Sequence, residues 1–203
     1  MNNKLKIWET ALLISLCITL FTGAWAGSRQ AGLSQKLIRL HVVAVSDDDS
    51  EQAIKLEVRD AVLNYLAPLL SEAGDAKTAG EIIEDNLSGV EHAALSRSRG
   101  RQVTVTLGPE EFPTRHYESF SLPAGEYESL SVTLGEGEGH NWWCVVFPPL
   151  CVEAVGSDAE QVQSVLSADD AALITRENGE YALRFRVLEL WGELRSLLNR
   201  LSQ

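Results

Sequence analysis

The residues able to do chemistry crowd into one stretch, Leu134 to Cys151, LGEGEGHNWWCVVFPPLC. His140 and Cys144, with Glu136 and Glu138 beside them, are the residue types of a Cys-His nucleophile and an orienting acid. A reactive thiolate needs positive surroundings. Between Tyr117 and Thr175 there are ten Asp and Glu and no Lys or Arg, a balance that raises a thiol pKa. No catalytic residue is therefore assigned, and an exported Cys-His hydrolase using Cys144 and His140 is kept as the alternative reading. Gly135-Glu136-Gly137-Glu138-Gly139 is not a phosphate loop, because its carboxylates repel phosphate and no lysine follows. Glu136, Glu138, His140 and His116 are metal-ligand types at a spacing that matches no metal site, so no metal or cofactor is assigned.

Recognition fits these residue types better. Adjacent Trp142 and Trp143 beside glycines and a Pro-Pro pair offer large, rigid contact area, and aromatic residues are enriched in interface hot spots. Strand alternation sends the two rings to opposite faces, so one is expected buried and the other nearer the surface. The expected partner-binding set is Glu136, Glu138, His140, Asn141, Trp142 and Trp143, with Tyr117 and Tyr127 nearby.

These residues need strands to hold them. Leu130, Val132 and Leu134 alternate into one strand and Asn141 to Phe147 is apolar on both faces, which predicts a β-hairpin joined by the Gly135 to Gly139 loop. Leu37 to Val45 is a β-branched-rich strand with Ile38, Leu40, Val42 and Ala44 on one face, and Arg39 and His41 on a half-exposed other face. Val103, Val105 and Leu107 alternate with Thr104 and Thr106 into a further strand.

Between these strands Ile54, Val58, Val62, Leu66 and Leu69 recur at helical spacing, predicting a helix from Ser50 to Leu70 with Glu51 and Lys55 paired on its solvated side. Asp47, Asp48, Asp49 and Glu51 lack the alternating spacing of a calcium loop. They read as an N-cap and acidic first turn. Asp75 to Leu87 is a second helical pattern, and Ser88 to Glu91 has the capping-box form of a third. The fold expected is α+β, a mixed or antiparallel sheet with helices packed on one face.

The sheet domain is bracketed by two further segments. Lys4 and Lys6 precede an uncharged apolar run from Thr10 to Ser28, an export-type segment. Either a signal peptide is cleaved after Ala24-Trp25-Ala26, or residues 5–26 remain as a membrane anchor, long enough to span a bilayer. The chain then divides into the export segment 1–26, a polar linker 27–35, an α+β domain 36–155 and an extension 156–203 whose Leu183 to Leu201 stretch has one apolar stripe. Outside the cytosol Cys144 and Cys151 can oxidise to a disulfide or stay as small buried hydrophobes. With 203 residues, 45% hydrophobic and 23% charged, the composition is that of an ordinary globular protein. The net charge of −12 makes nucleic acid an unsuitable partner.

Five segments carry a family resemblance: LIRLHVVAVSD (Leu37 to Asp47), KLEVRDAV (Lys55 to Val62), FPTRHY (Phe112 to Tyr117), LPAGEYESL (Leu122 to Leu130) and LGEGEGHNWWCVVFPPLC. Through them the chain resembles the stage II sporulation protein R family of endospore-forming bacteria. The resemblance implies an exported signalling protein, made in the forespore and delivered to the intermembrane space. Its implied partner is a membrane-embedded aspartic protease of the mother cell, which it triggers to process the precursor of the early mother-cell sigma factor.

Overall fold

The computed structural model describes residues 2–117 and 120–150. Along them run α1 (Asn2–Ser34), β1 (Ile38–Val43), α2 (Asp49–Leu70), α3 (Ala76–Asp85), α4 (Leu87–Leu95), β2 (Val103–Phe112), β3 (Arg115–His116), β4 (Ser121–Leu122), β5 (Gly125–Leu134) and β6 (Asn141–Phe147). The architecture is α+β. Its main sheet has the strand order β2-β5-β1-β6, and β3 pairs with β4 in a separate ribbon.

The sheet is mixed: β5 runs parallel to β1, while β6 is antiparallel to β1 and β2 is antiparallel to β5. This overturns the expected hairpin. β5 and β6 do not pair with each other, because β1 lies between them, with Leu40 opposite Leu130 on one side and Cys144 on the other. All six residues of β1 are buried, and the centre of the sheet is where a strand buried on both faces finds partners for both of its backbone edges.

One face of the sheet carries the larger core. Ile38, Leu40 and Val42 of β1, Leu130 and Val132 of β5 and Val146 of β6 meet Ile54, Val58, Val62 and Leu66 of α2, Ala79 and Ile83 of α3, and Val90 and Ala94 of α4. Asp75 caps α3 by accepting the Thr78 N–H at 2.7 Å. The capping box expected at Ser88 does not form. α4 starts at Leu87, and the Asn86 side chain before it instead takes the Tyr65 hydroxyl at 3.3 Å and donates to the Ile82 carbonyl at 2.8 Å. Packing of α4 on α2 decides this register, since a Cβ at Gly89 would lie 1.9 Å from the Tyr65 Oη.

The other face is also covered, contrary to the half-exposed face expected for Arg39 and His41. Leu33, Leu37, Phe112, Phe120, Leu122, Tyr127 and Val145 close over it, and both polar side chains are buried. The polar stretch expected as a linker is helical: α1 continues to Ser34 and inserts Leu33 into this second cluster. Toward its N-terminus α1 holds Lys6–Ala24, 19 residues of mean hydropathy 1.7. At about 1.5 Å per residue that is roughly the hydrocarbon thickness of a bilayer. The segment is apolar and long enough to cross a membrane, consistent with an export segment. Cys151 and the extension 156–203 lie outside the described residues.

Candidate functional site

The glycine-rich connection crosses the end of β1. Gly135 (φ +57°) and Gly137 (φ +68°) adopt left-handed backbone, and a Cβ at Gly137 would lie 2.7 Å from Thr133 Cγ2. Gly139 is required by close approach, since a Cβ there would sit 2.4 Å from the Ser46 carbonyl oxygen. The loop is pinned at several points. Gly135 N–H donates to the Gln102 carbonyl at 2.9 Å and Gly139 N–H to the Ala44 carbonyl at 2.9 Å. Asp47 Oδ1 accepts the His140 N–H at 2.6 Å, and Lys55 Nζ donates to the His140 carbonyl at 2.9 Å.

One expectation is corrected by these contacts. Lys55 is buried under the loop rather than paired with Glu51, which binds Arg101 instead through two bonds of 2.5 and 3.1 Å. Asp48 is the N-cap residue of α2, without a side-chain cap bond, and Asp49 and Glu51 make its first turn acidic as expected, while Asp47 serves as the loop's clamp. The carboxylates of Glu136 and Glu138, the His140 ring and Asn141 are left exposed on this fixed backbone.

Trp142 and Trp143 point to opposite faces as strand alternation requires, but both are half-buried rather than one in and one out. Trp142 packs on the helix side with the Arg59 guanidinium 4.4 Å over its ring. Trp143 lies on the other side, stacked on His41 with ring centroids 4.0 Å apart and planes 8° apart. Phe112 meets the same indole edge-on at 4.7 Å, and the Arg115 guanidinium lies 5.4 Å over it. Each tryptophan has a buried indole N–H without an acceptor.

Beneath Trp143 runs a part-buried polar row centred on the buried His41. His41 Nδ1 lies 2.6 Å from Glu110 Oε1, and His41 Nε2 lies 2.8 Å from Asn141 Oδ1. Ser131 Oγ is 3.2 Å from the same Nδ1 and donates to Glu110 Oε2 at 3.3 Å. Burial pushes the Glu110 carboxyl up, but its contact with His41, aided by the neighbouring Ser129 and Ser131 hydroxyls, outweighs this and holds the group below its ordinary value. Two residues away on β1, Arg39 has no exposed surface and no carboxylate partner among the described residues. Its Nη2 donates to the Tyr117 hydroxyl at 2.8 Å, and its guanidinium lies 4.0 Å over Phe112 and 5.0 Å over Tyr127. Burial lowers the Arg39 pKa, and Tyr117 and Tyr127 restore part of it. The Tyr117 hydroxyl passes the chain on to the Trp143 carbonyl at 3.2 Å.

Both the loop and the row beneath it lie inside the stretch shared with known proteins, since residues 34–157 match the profile of the family described as Stage II sporulation protein R. The chain belongs to the stage II sporulation protein R family. It is 33% identical over 158 residues to stage II sporulation protein R of Bacillus subtilis (strain 168), covering 70% of this chain and 70% of that protein. No solved structure is significantly similar to it.

In this member of the sporulation protein R family the expected contact residues separate into groups. Glu136, Glu138, His140 and Asn141 form one exposed run, with Trp142 at its edge. Tyr117 is half-buried, its hydroxyl committed to Arg39 and Trp143. Tyr127 is buried and donates to the Pro123 carbonyl at 2.7 Å, so it is not a surface contact. Cys144 is disulfide-bonded and faces the helix-side core, while His140 is exposed and pairs with Asp47 at 2.5 Å. A disulfide sulfur is no thiolate, and the Cys144–His140 hydrolase gains no support from this arrangement. The sequence places Arg39 and His41 on one strand face, where they could form a site, but shows neither their burial nor the part played by Glu110. The available signal was a polar pair inside an otherwise continuous apolar strand, which marks a central strand with buried polar partners.

Proposed function

We propose that this sporulation protein R family member is an exported signal that binds the extracytoplasmic face of a membrane-embedded aspartic protease of the mother cell. It biases that protease toward its active state and so leads to processing of the early mother-cell sigma factor precursor. The observation that carries this reading is the Gly135 to Asn141 loop, exposed in its side chains yet fixed in its backbone by Asp47, Lys55 and the end of β1. A ligand shifts a conformational equilibrium only through differential affinity for one state. A loop already held in one shape loses little entropy on docking, which leaves more of its contact energy for that discrimination. Glu136 and Glu138 suit a basic surface on the partner.

Export from the forespore to the intermembrane space fits the apolar first helix, either as a cleaved signal or as an anchor in which residues 5–26 stay in the membrane. The test replaces Glu136, Glu138 and His140 together by alanine in the full chain. Co-purification with the protease and precursor processing are both expected to be lost, with the thermal midpoint unchanged. Full processing by a folded variant overturns the assignment of the contact to this loop.

A further inference from the structure

A groove of about 590 Å³ opens between α3, the end of α1 and the sheet. Ile38 of β1 and Leu107 and Pro109 of β2 give it an apolar floor. Its charged lining is one-sided: Glu81 and Glu84 of α3 and Glu126 and Glu128 of β5 stand against Lys77. Lys77 is 3.4 Å from Glu81, and the exposed Glu84, Glu126 and Glu128 have no ion-pair partner among the described residues.

Gly80 of α3 also lines the groove. Glycine inside a helix is unfavourable relative to alanine, and neither usual reason for one applies here. Its backbone is not left-handed, and a Cβ would meet nothing nearer than Ile38 Cδ1 at 3.8 Å. A longer side chain at this position would occupy the groove, and glycine keeps it open. A local preference that yields without a packing reason marks a functional surface.

The chemistry of the lining selects the occupant. Its carboxylates repel phosphate, which excludes an anionic lipid surface and nucleic acid. They are spread over two elements, and no group of three among the described residues could hold a metal ion. Exposed ion pairs each contribute little, so charge alone holds a small amine weakly, and a tighter ligand must also cover the apolar floor.

We propose that this groove docks a basic amphipathic segment of a protein partner, with lysine or arginine side chains on the glutamate rim and apolar ones on Ile38, Leu107 and Pro109. It is a second surface, separate from the Gly135 to Asn141 loop and independent of that loop's role. β1 begins at the groove and ends at the loop, so its six residues set the two apart by roughly 20 Å at about 3.3 Å per residue.

The test uses the full chain in nonionic detergent micelles and a fluorescent helical leucine–lysine peptide, with binding read by anisotropy against empty micelles. Glu84→Lys combined with Glu128→Lys turns attraction into repulsion on two elements and should weaken binding about tenfold. Gly80→Phe should weaken it comparably with every charge in place, and an unchanged thermal midpoint shows each variant folded. In the parent, bound peptide should slow hydrogen exchange in residues 76–85 and 107–109. Replacing Glu136, Glu138 and His140 by alanine should leave peptide affinity as it is, which separates the groove from the loop. Undiminished binding by the charge-reversed variant, or protection at the loop in place of the groove, overturns the proposal. So does a lysine–serine peptide that binds as tightly as the leucine–lysine one, since the floor then contributes nothing, and so does absence of binding by the leucine–lysine peptide.

Discussion

The carboxylate of Asp47 accepts the backbone N–H of His140, 93 residues further along the chain, at 2.6 Å. This bond joins the turn after β1 to the loop before β6, and it fastens the exposed loop to the strand at the sheet's centre. Asp47→Ala should therefore cost about 1 kcal/mol in stability. It should also speed amide exchange at His140 and its neighbours more than elsewhere. Hydrogen-exchange NMR or mass spectrometry reads that difference, and unchanged exchange at His140 would show the clamp to be idle.

Two glycine-to-alanine changes should move stability in opposite directions. A Cβ at Gly139 meets the Ser46 backbone at 2.4 Å, so Gly139→Ala forces main chain apart and should lower stability by about 1–3 kcal/mol. Gly80 lies within α3, where an added Cβ has its nearest neighbour 3.8 Å away at Ile38 Cδ1. Gly80→Ala should raise stability by about 0.5–1 kcal/mol through helix propensity. Urea midpoints of the two variants provide the comparison.

Arg39 is buried without a carboxylate, two of its nitrogens lack partners, and burial lowers its pKa. Exchanging a buried charge for an apolar side chain of similar length removes the desolvation cost. Arg39→Met should be at least as stable as the parent. Tyr117→Phe keeps the charge but takes away its hydrogen-bond acceptor, and should cost about 1–3 kcal/mol. Chemical denaturation of both variants tests this, and a strongly destabilised Arg39→Met would show that the contacts with Phe112 and Tyr127 outweigh desolvation.

Glu110 ties stability to acid. Its folded pKa is lower than its unfolded one, because contact with His41, aided by the Ser129 and Ser131 hydroxyls, outweighs burial. A depressed carboxylate contributes stability that is full above its ordinary value of 4.5 and is lost as pH falls through the lower folded value. Stability measured over that acid range should fall in the parent, and Glu110→Gln should fall less steeply while starting lower at neutral pH.

Local patterning was enough for much of this chain. The apolar spacing of Ile54, Val58, Val62 and Leu66 sets α2, the alternation of Val103, Val105 and Leu107 sets half of β2, and the uncharged run from Thr10 sets most of the membrane-length part of α1. These follow from side-chain periodicity, a property of neighbours in sequence. The motif from Leu134 to Cys151 likewise marks the family and the exposed loop, because glycines in left-handed backbone and close approach leave their trace in composition.

Strand order was not available in that way. A hairpin between β5 and β6 and an insertion of β1 between them require the same alternation, and only the burial of both β1 faces selects the second. With β1 central, Arg39 and His41 move from a half-exposed face into the interior, and partners 69 and 100 residues from His41, Glu110 and Asn141, become its hydrogen-bond neighbours. Pairing at such distances depends on which surfaces are removed from water together, and only the assembled tertiary structure decides that.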